Sequence, residues 1–175
     1  MKYLILILSL VLTSACAETI PLHGTVSLDS KFSPEETGEI LSAADQWKQA
    51  TGMISLTFNV SDEAESSEYA IVRRDGINHH RGVTTQTPSR VLIEIWPGDV
   101  YNTYEYMHGI PGYGSVEEIA LHELGHSFGL FHQSTGLMKA GGVDHILLPA
   151  CIDSHTLSSF CALYDCKTVR PTCPD

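Results

Sequence analysis

The chain has 175 residues, room for one domain around one core of ordinary size, and its 43% hydrophobic and 18% charged residues exclude both a disordered chain and a multi-span membrane protein. A formal net charge of −11 excludes nucleic acid as a partner, because binding a polyanion takes clustered Lys and Arg that are not present here.

The N-terminal MKYLILILSLVLTSACAE runs from Lys2 through an apolar stretch, Tyr3 to Leu12, into small residues. This is the layout of an export signal over residues 1–15, and the apolar run is well short of the roughly 20 residues needed to span a bilayer. Leu12-Thr13-Ser14-Ala15-Cys16 resembles the lipobox of bacterial lipoproteins, in which cleavage before the cysteine frees its thiol for lipid, although Thr13 stands where that motif prefers Leu. Ala15-Cys16-Ala17 also fits ordinary signal cleavage, after Ala17. Cys16 is therefore the lipidation candidate and the only expected membrane contact, with the protein either in the cell envelope as a lipoprotein or secreted. Residues 16–24 read as a tether and 25–175 as one folded unit.

GTVSLD has strand character. SPEETGEILSAADQWKQATG opens as a helix, with Ser33 at the cap, Pro34 in the first turn and Glu36 completing a capping box. Ile40, Ala43, Ala44, Trp47 and Ala50 share one face, and Gly52 stops the helix. MISLTFNV, YAIVRR and RVLIEIW are short, β-branched and partly alternating, and they form the sheet. The acidic run SDEAESSE lacks EF-hand spacing and reads as a solvated loop, which leaves calcium unsupported. His79 and His80 fall in a polar turn, where adjacent side chains do not face one ion. PGDVYNTYEYMHGIPGYG has no period and reads as a long surface loop of the kind that borders a site. A second capping box, Ser115 with Glu118, opens a helix whose buried stripe is Val116, Ala120, Leu124 and Phe128. His108, His145 and His155 have no ligand spacing.

Whether Cys16 is lipidated or removed, Cys151, Cys161, Cys166 and Cys173 remain. An even count in an exported chain predicts two disulfides, in any of three pairings.

On the second helix lies HELGHSFGLFH. Residues four apart stack on one helix face, so His122 and His126 aim two imidazoles at one point. Glu123 reaches water at that point without occupying a ligand position, as a general base does. Gly129 is placed to end the helix and turn the chain so that His132 becomes a third ligand. Three neutral nitrogens leave a fourth tetrahedral position open, the mark of a catalytic rather than a structural zinc site. In a shuffled chain of this composition the full pattern occurs only about once in ten thousand times, which leaves little weight for a merely histidine-rich helix.

HELGHSFGLFH resembles the metzincin zinc-peptidase signature H-E-x-x-H-x-x-G-x-x-H at every specified position. STGLM places Met138 six residues after His132, where metzincins have a methionine turn beneath the metal. AADQWKQATGMISLTF resembles the first helix and next strand of matrixin-type metzincins, and TLSSFCALYDC resembles their C-terminal helix, so the likeness covers most of residues 24–166. Gln133 departs from the Ser of matrixins and the Asp of adamalysins at that position, which leaves the subfamily open, and no cysteine-switch motif or room for a pro-domain is found.

The resemblance implies an α+β fold: a twisted, mainly parallel sheet over two long helices, with a small C-terminal subdomain after Gly129 that ends in a helix. It implies a monomeric catalytic domain holding one zinc ion on His122, His126 and His132. Its partner would be a polypeptide substrate laid along an edge strand, a role that falls to RVLIEIW, with the pocket wall formed by the chain after Met138. The implied reaction is peptide-bond hydrolysis by zinc-activated water, with Glu123 moving the proton. The rival readings are a catalytically idle zinc-containing envelope binding protein and a zinc hydrolase of peptidoglycan stem peptides.

Overall fold

The computed structural model describes residues 20–76, 81–97, 115–139, 150–167 and 169–173. Residues 1–19, with the export signal and Cys16, lie outside them, as do the tyrosine-rich loop from residue 98 to 114 and residues 140–149 after Met138. The described residues form an α+β fold of one five-stranded sheet and three helices. The strands are β1 (His23–Asp29), β2 (Ser55–Ser61), β3 (Tyr69–Arg73), β4 (Gly82–Thr87) and β5 (Arg90–Ile95), in the order β2-β1-β3-β5-β4. β2, β1, β3 and β5 run parallel, and β4 pairs antiparallel with β5 at the edge. The helices are α1 (Pro34–Thr51), α2 (Val116–Ser127) and α3 (Ser154–Tyr164). No helix among the described residues is long and apolar enough to cross a membrane.

α1 forms as its sequence dictates. The Ser33 hydroxyl accepts from the Glu36 amide while the Glu36 carboxylate accepts from the Ser33 amide, and Gly52 closes the helix at φ 63°, a conformation that suits glycine. Its stripe, Ile40, Ala43, Ala44, Trp47 and Ala50, is buried against one face of the sheet together with Val26, Leu28, Ile71, Val91, Ile93 and Ile95. The stripe of α2 joins the same core, and Ser115 caps that helix by accepting the Glu118 amide. On the opposite face Ala70 and Val72 pack under a 3-10 turn at Ala64–Ser66, which falls within the expected acidic loop.

Two expectations are corrected. RVLIEIW is not an edge: β5 is hydrogen-bonded on both sides, and the strands at the two edges are β2 and, beside β5, β4, GVTTQT. The polar residues of β4 give no apolar alternation, so it escapes a sequence reading. The folded unit also begins before Thr25. Ile20 is buried, donates its amide to the Ser127 carbonyl and so satisfies one of the free carbonyls at the end of α2.

The C-terminal segment is strapped onto α1. Arg170 donates its amide to Ala50 O, and Thr172 and Ile152 exchange hydrogen bonds. Gln46 on α1 donates to Ala150 O and Glu117 and accepts from the Thr172 hydroxyl, joining α1, α2 and the tail through one side chain. Of the three pairings allowed by sequence, Cys151–Cys173 and Cys161–Cys166 form, closing separations of 22 and 5 residues. Bridges of this kind persist in oxidising surroundings.

Loop-closure entropy makes the longer bridge the stronger. Replacing Cys151 and Cys173 by Ser is expected to lower the unfolding free energy by about 3 kcal/mol, and replacing Cys161 and Cys166 by about 2 kcal/mol. Urea unfolding of the two double variants checks this, and the reverse ranking would contradict it.

Candidate metal centre

α2 carries His122 and His126 one turn apart, and the way the helix ends delivers the rest. Gly129, at φ 88°, donates its amide to His126 O while Leu130 donates to Gly125 O, the paired bonds of a Schellman turn. This turn folds the Leu130 carbonyl back onto His126 Nδ1 at 2.8 Å and brings His132 round to the other two rings. His122 Nδ1 lies 2.7 Å from the Leu137 carbonyl.

A carbonyl can only accept, so both Nδ1 atoms carry the proton and the opposite Nε2 lone pairs are left bare. These converge. His126 Nε2 is 3.0 Å from His122 Nε2 and 3.1 Å from His132 Nε2. Burial pushes His122 down to about 4, outweighing the Leu137 carbonyl, and the two neighbouring rings lower it further. Burial also lowers His126 and the more exposed His132, the latter with help from His126. At neutral pH all three rings are uncharged, and the bare nitrogens of His122 and His126 face each other beside His132 Nε2, an arrangement that a cation between the rings would relieve.

The donor set fits a metal ion. The ligand atoms of all three histidines lie within 4.8 Å of one another. Nitrogens bound to one tetrahedral ion at ~2.0–2.1 Å are separated by ~3.3 Å, within a few tenths of an ångström of the distances seen here. An all-imidazole set suits borderline transition ions and not calcium or magnesium, which take oxygen ligands.

Glu123 is 5% exposed. Its Oε2 lies 2.7 Å from the Thr84 hydroxyl on β4, which also lies 3.0 Å from Glu123 O. Alternate residues of β4 face α2: Gly82 lies against Ile119 and Glu123, Thr84 meets Glu123, and Gln86 donates to His126 O. A Cβ at residue 82 would stand 2.6 Å from Glu123 Cγ, so only glycine lets the carboxylate lie against the strand.

Met138 is fully buried beneath α2. A Cβ on Gly125 would be 2.5 Å from its Sδ and 3.3 Å from the Trp47 ring. Trp47 in turn donates to Leu121 O and packs edge-on to Phe128 at 5.4 Å. Gln133, next to His132, closes the turn that carries Met138 by donating its amide to Met138 O at 2.7 Å. The Tyr164 hydroxyl, from α3, holds Phe128 O at 2.8 Å.

His122, His126 and His132 are thus brought together with Glu123, Gly129 and Met138 around them. His155 is exposed at the start of α3 and takes no part; His79, His80, His108 and His145 lie outside the described residues. Sequence reasoning missed Thr84, Gln86, Gly82 and Gly125. Only Gly125 left a signal, since a glycine inside a helix costs about 1 kcal/mol and calls for a packing reason. Comparison of the chain with models of known protein families gives no match, and comparison with curated proteins gives none either.

The folded value of His122 lies below its ordinary 6.5, so between about pH 6.5 and 4 the unfolded chain binds the extra proton. Metal-free protein is therefore expected to lose stability as the pH falls through that window, by an amount of order 3 kcal/mol from this ring. Urea unfolding of chelator-treated wild type against His122→Gln, at pH 7 and pH 4.5, measures it; equal pH dependence of the two contradicts the assignment.

Proposed function

We propose that this chain is a zinc-dependent endopeptidase of the metzincin type, with Glu123 as general base and acid. The observation that carries the reading is the buried Glu123 carboxylate, held by Thr84 of β4 and borne by the same helix that presents two of the three converging histidines. A structural metal site has no use for such a group. The α+β fold, the glycine turn before His132 and the methionine packed below the histidines all support the metzincin likeness.

His122, His126 and His132 would hold zinc, which three imidazoles suit and which would keep a fourth position open. When bound, it supplies Lewis acidity, polarising the scissile carbonyl and lowering the pKa of water towards ~7. Glu123 accepts the proton of the attacking water and delivers it to the leaving amine, so one carboxylate serves both halves of the hydrolysis. Thr84 restrains the rotation of that carboxylate, so proton transfer starts from a fixed geometry.

The edge strand β4 offers main-chain hydrogen bonds to an extended substrate while its inner residues hold α2. Phe131, 86% exposed beside His132, adds an apolar contact. The substrate is therefore an extended polypeptide. The two disulfides support an oxidising compartment, in keeping with export and with a lipid anchor at Cys16 or secretion.

Zinc-loaded mature protein is expected to cleave a mixture of unfolded proteins and peptides, to lose this activity to chelator and to regain it with zinc. Glu123→Gln should bind zinc and cleave at least ~100-fold more slowly. Full activity in Glu123→Gln overturns the assignment of the base, and zinc binding with no cleavage by the wild type favours the idle binding protein or a narrow stem-peptide substrate. Thr84→Val is expected to lower kcat about tenfold with zinc affinity and KM unchanged, read from steady-state cleavage of one peptide found in the mixture.

A further inference from the structure

The carbonyl that orients His122 belongs to Leu137, in a turn closed by an isolated bridge between Gln133 and Lys139. Within the turn, Gln133 donates to Met138 O and Lys139 donates to Gly136 O. From outside the turn, Asp153 grips it. Asp153 Oδ2 accepts the Leu137 amide at 2.8 Å. The same carboxylate presses on Gly136, where a Cβ would stand 2.5 Å from Oδ2 and 2.7 Å from Oδ1, and where φ is 76°.

Asp153 is itself immobilised. As the N-cap of α3 it accepts from the His155 and Thr156 amides through Oδ1, both at 2.9 Å, while Oδ2 also takes the Thr156 hydroxyl at 2.8 Å. Burial alone would raise its carboxyl, but the bonds from Leu137, Thr156 and His155 hold it below the usual range. Behind it, Ile152 is fully buried and Cys151 is bridged to Cys173.

Capping α3 needs one oxygen, and Ser, Thr or Asn would supply it. The second oxygen is surplus to the cap, and it is the one that meets Leu137. We propose that Asp153 is a positioning residue of the metal centre: by holding the Leu137 backbone it fixes the carbonyl that sets the tautomer and direction of the His122 ring. The C-terminal segment thereby tunes metal affinity from outside the ligand set. This inference rests on the metal centre and not on the hydrolysis.

The test measures zinc affinity at pH 7 by competition with a chromophoric chelator. Asp153→Ser keeps a capping oxygen but is too short to reach Leu137, and Asp153→Asn caps α3 while setting an NH2 group against the Leu137 amide. Both are expected to bind zinc at least tenfold more weakly than wild type, as loss of an orienting partner does. Nitrogen-15 spectra of the metal-free forms should show His122 protonated on Nδ1 in wild type and in mixed tautomers in the variants. Thr156→Val, which removes a bond to Asp153 but leaves Leu137 held, should lower the thermal midpoint and keep wild-type affinity. If Asp153→Ser does not fold, Asp153→Asn decides. Affinities within twofold of wild type, or an equal loss in Thr156→Val, overturn the proposal; failure of the wild type itself to bind zinc overturns the metal centre beneath it.

Discussion

The bare Nε2 atoms of His122 and His126 lie 3.0 Å apart with His132 Nε2 3.1 Å from the second, and the chain has to hold these mutually repelling rings in place for an ion to bind between them. It does so by tying the far side of two of the rings to backbone carbonyls, Leu137 for His122 and Leu130 for His126. Each tie fixes a tautomer and a ring plane together, so the metal-facing nitrogen is bare and already aimed. Ordering is thus completed during folding, and binding an ion relieves a repulsion without also having to assemble the site.

Much of the remaining structure serves to make those carbonyls immovable. Leu130 stands where it does because α2 ends in a Schellman turn at Gly129, and the end of α2 is further fixed by Ile20, Gln86 and Tyr164, each bonded to one of its last main-chain carbonyls. Leu137 stands where it does because Met138 fits under Gly125 and Asp153 holds the adjoining peptide. The sheet contributes most directly through β4. Residues of β4 at spacing two meet α2 at residues 119, 123 and 126, near the 3.6-residue pitch of the helix, so a strand and a helix of different periods run in register over the length of the site.

Features written in side-chain pattern were legible in the sequence. The capping box and stripe of α1, its Gly52 stop, the four apolar strands, the start of α2 and the three histidines all follow from spacing and residue type. Features written in pairing were not. β4 is polar, and the order β3-β5-β4 depends on a hairpin inserting its second strand beside β3, which no local pattern encodes. The two carbonyl partners are main-chain groups and have no sequence signature. The hold of Asp153 on Leu137 was likewise unreadable in sequence, because it exists only once the turn at Gly136 is in place. The cysteines gave a count but not a pairing, since two bridges among four thiols satisfy the same arithmetic in three ways.

Orientation by main chain shifts where the sequence is constrained. Leu130 and Leu137 supply the critical oxygens, yet their side chains only need to be apolar and of suitable size, because both are buried in the common core. The strict positions are their neighbours. Gly129 and Gly136 take φ of 88° and 76°, which a side chain strains, and Gly136 has an aspartate where its Cβ would be. The candidate metal centre therefore depends on two glycines and a carboxylate outside its donor set. Exchanging a leucine for another aliphatic residue leaves the carbonyl in place, whereas adding one methyl group at a glycine moves the peptide and, with it, the imidazole.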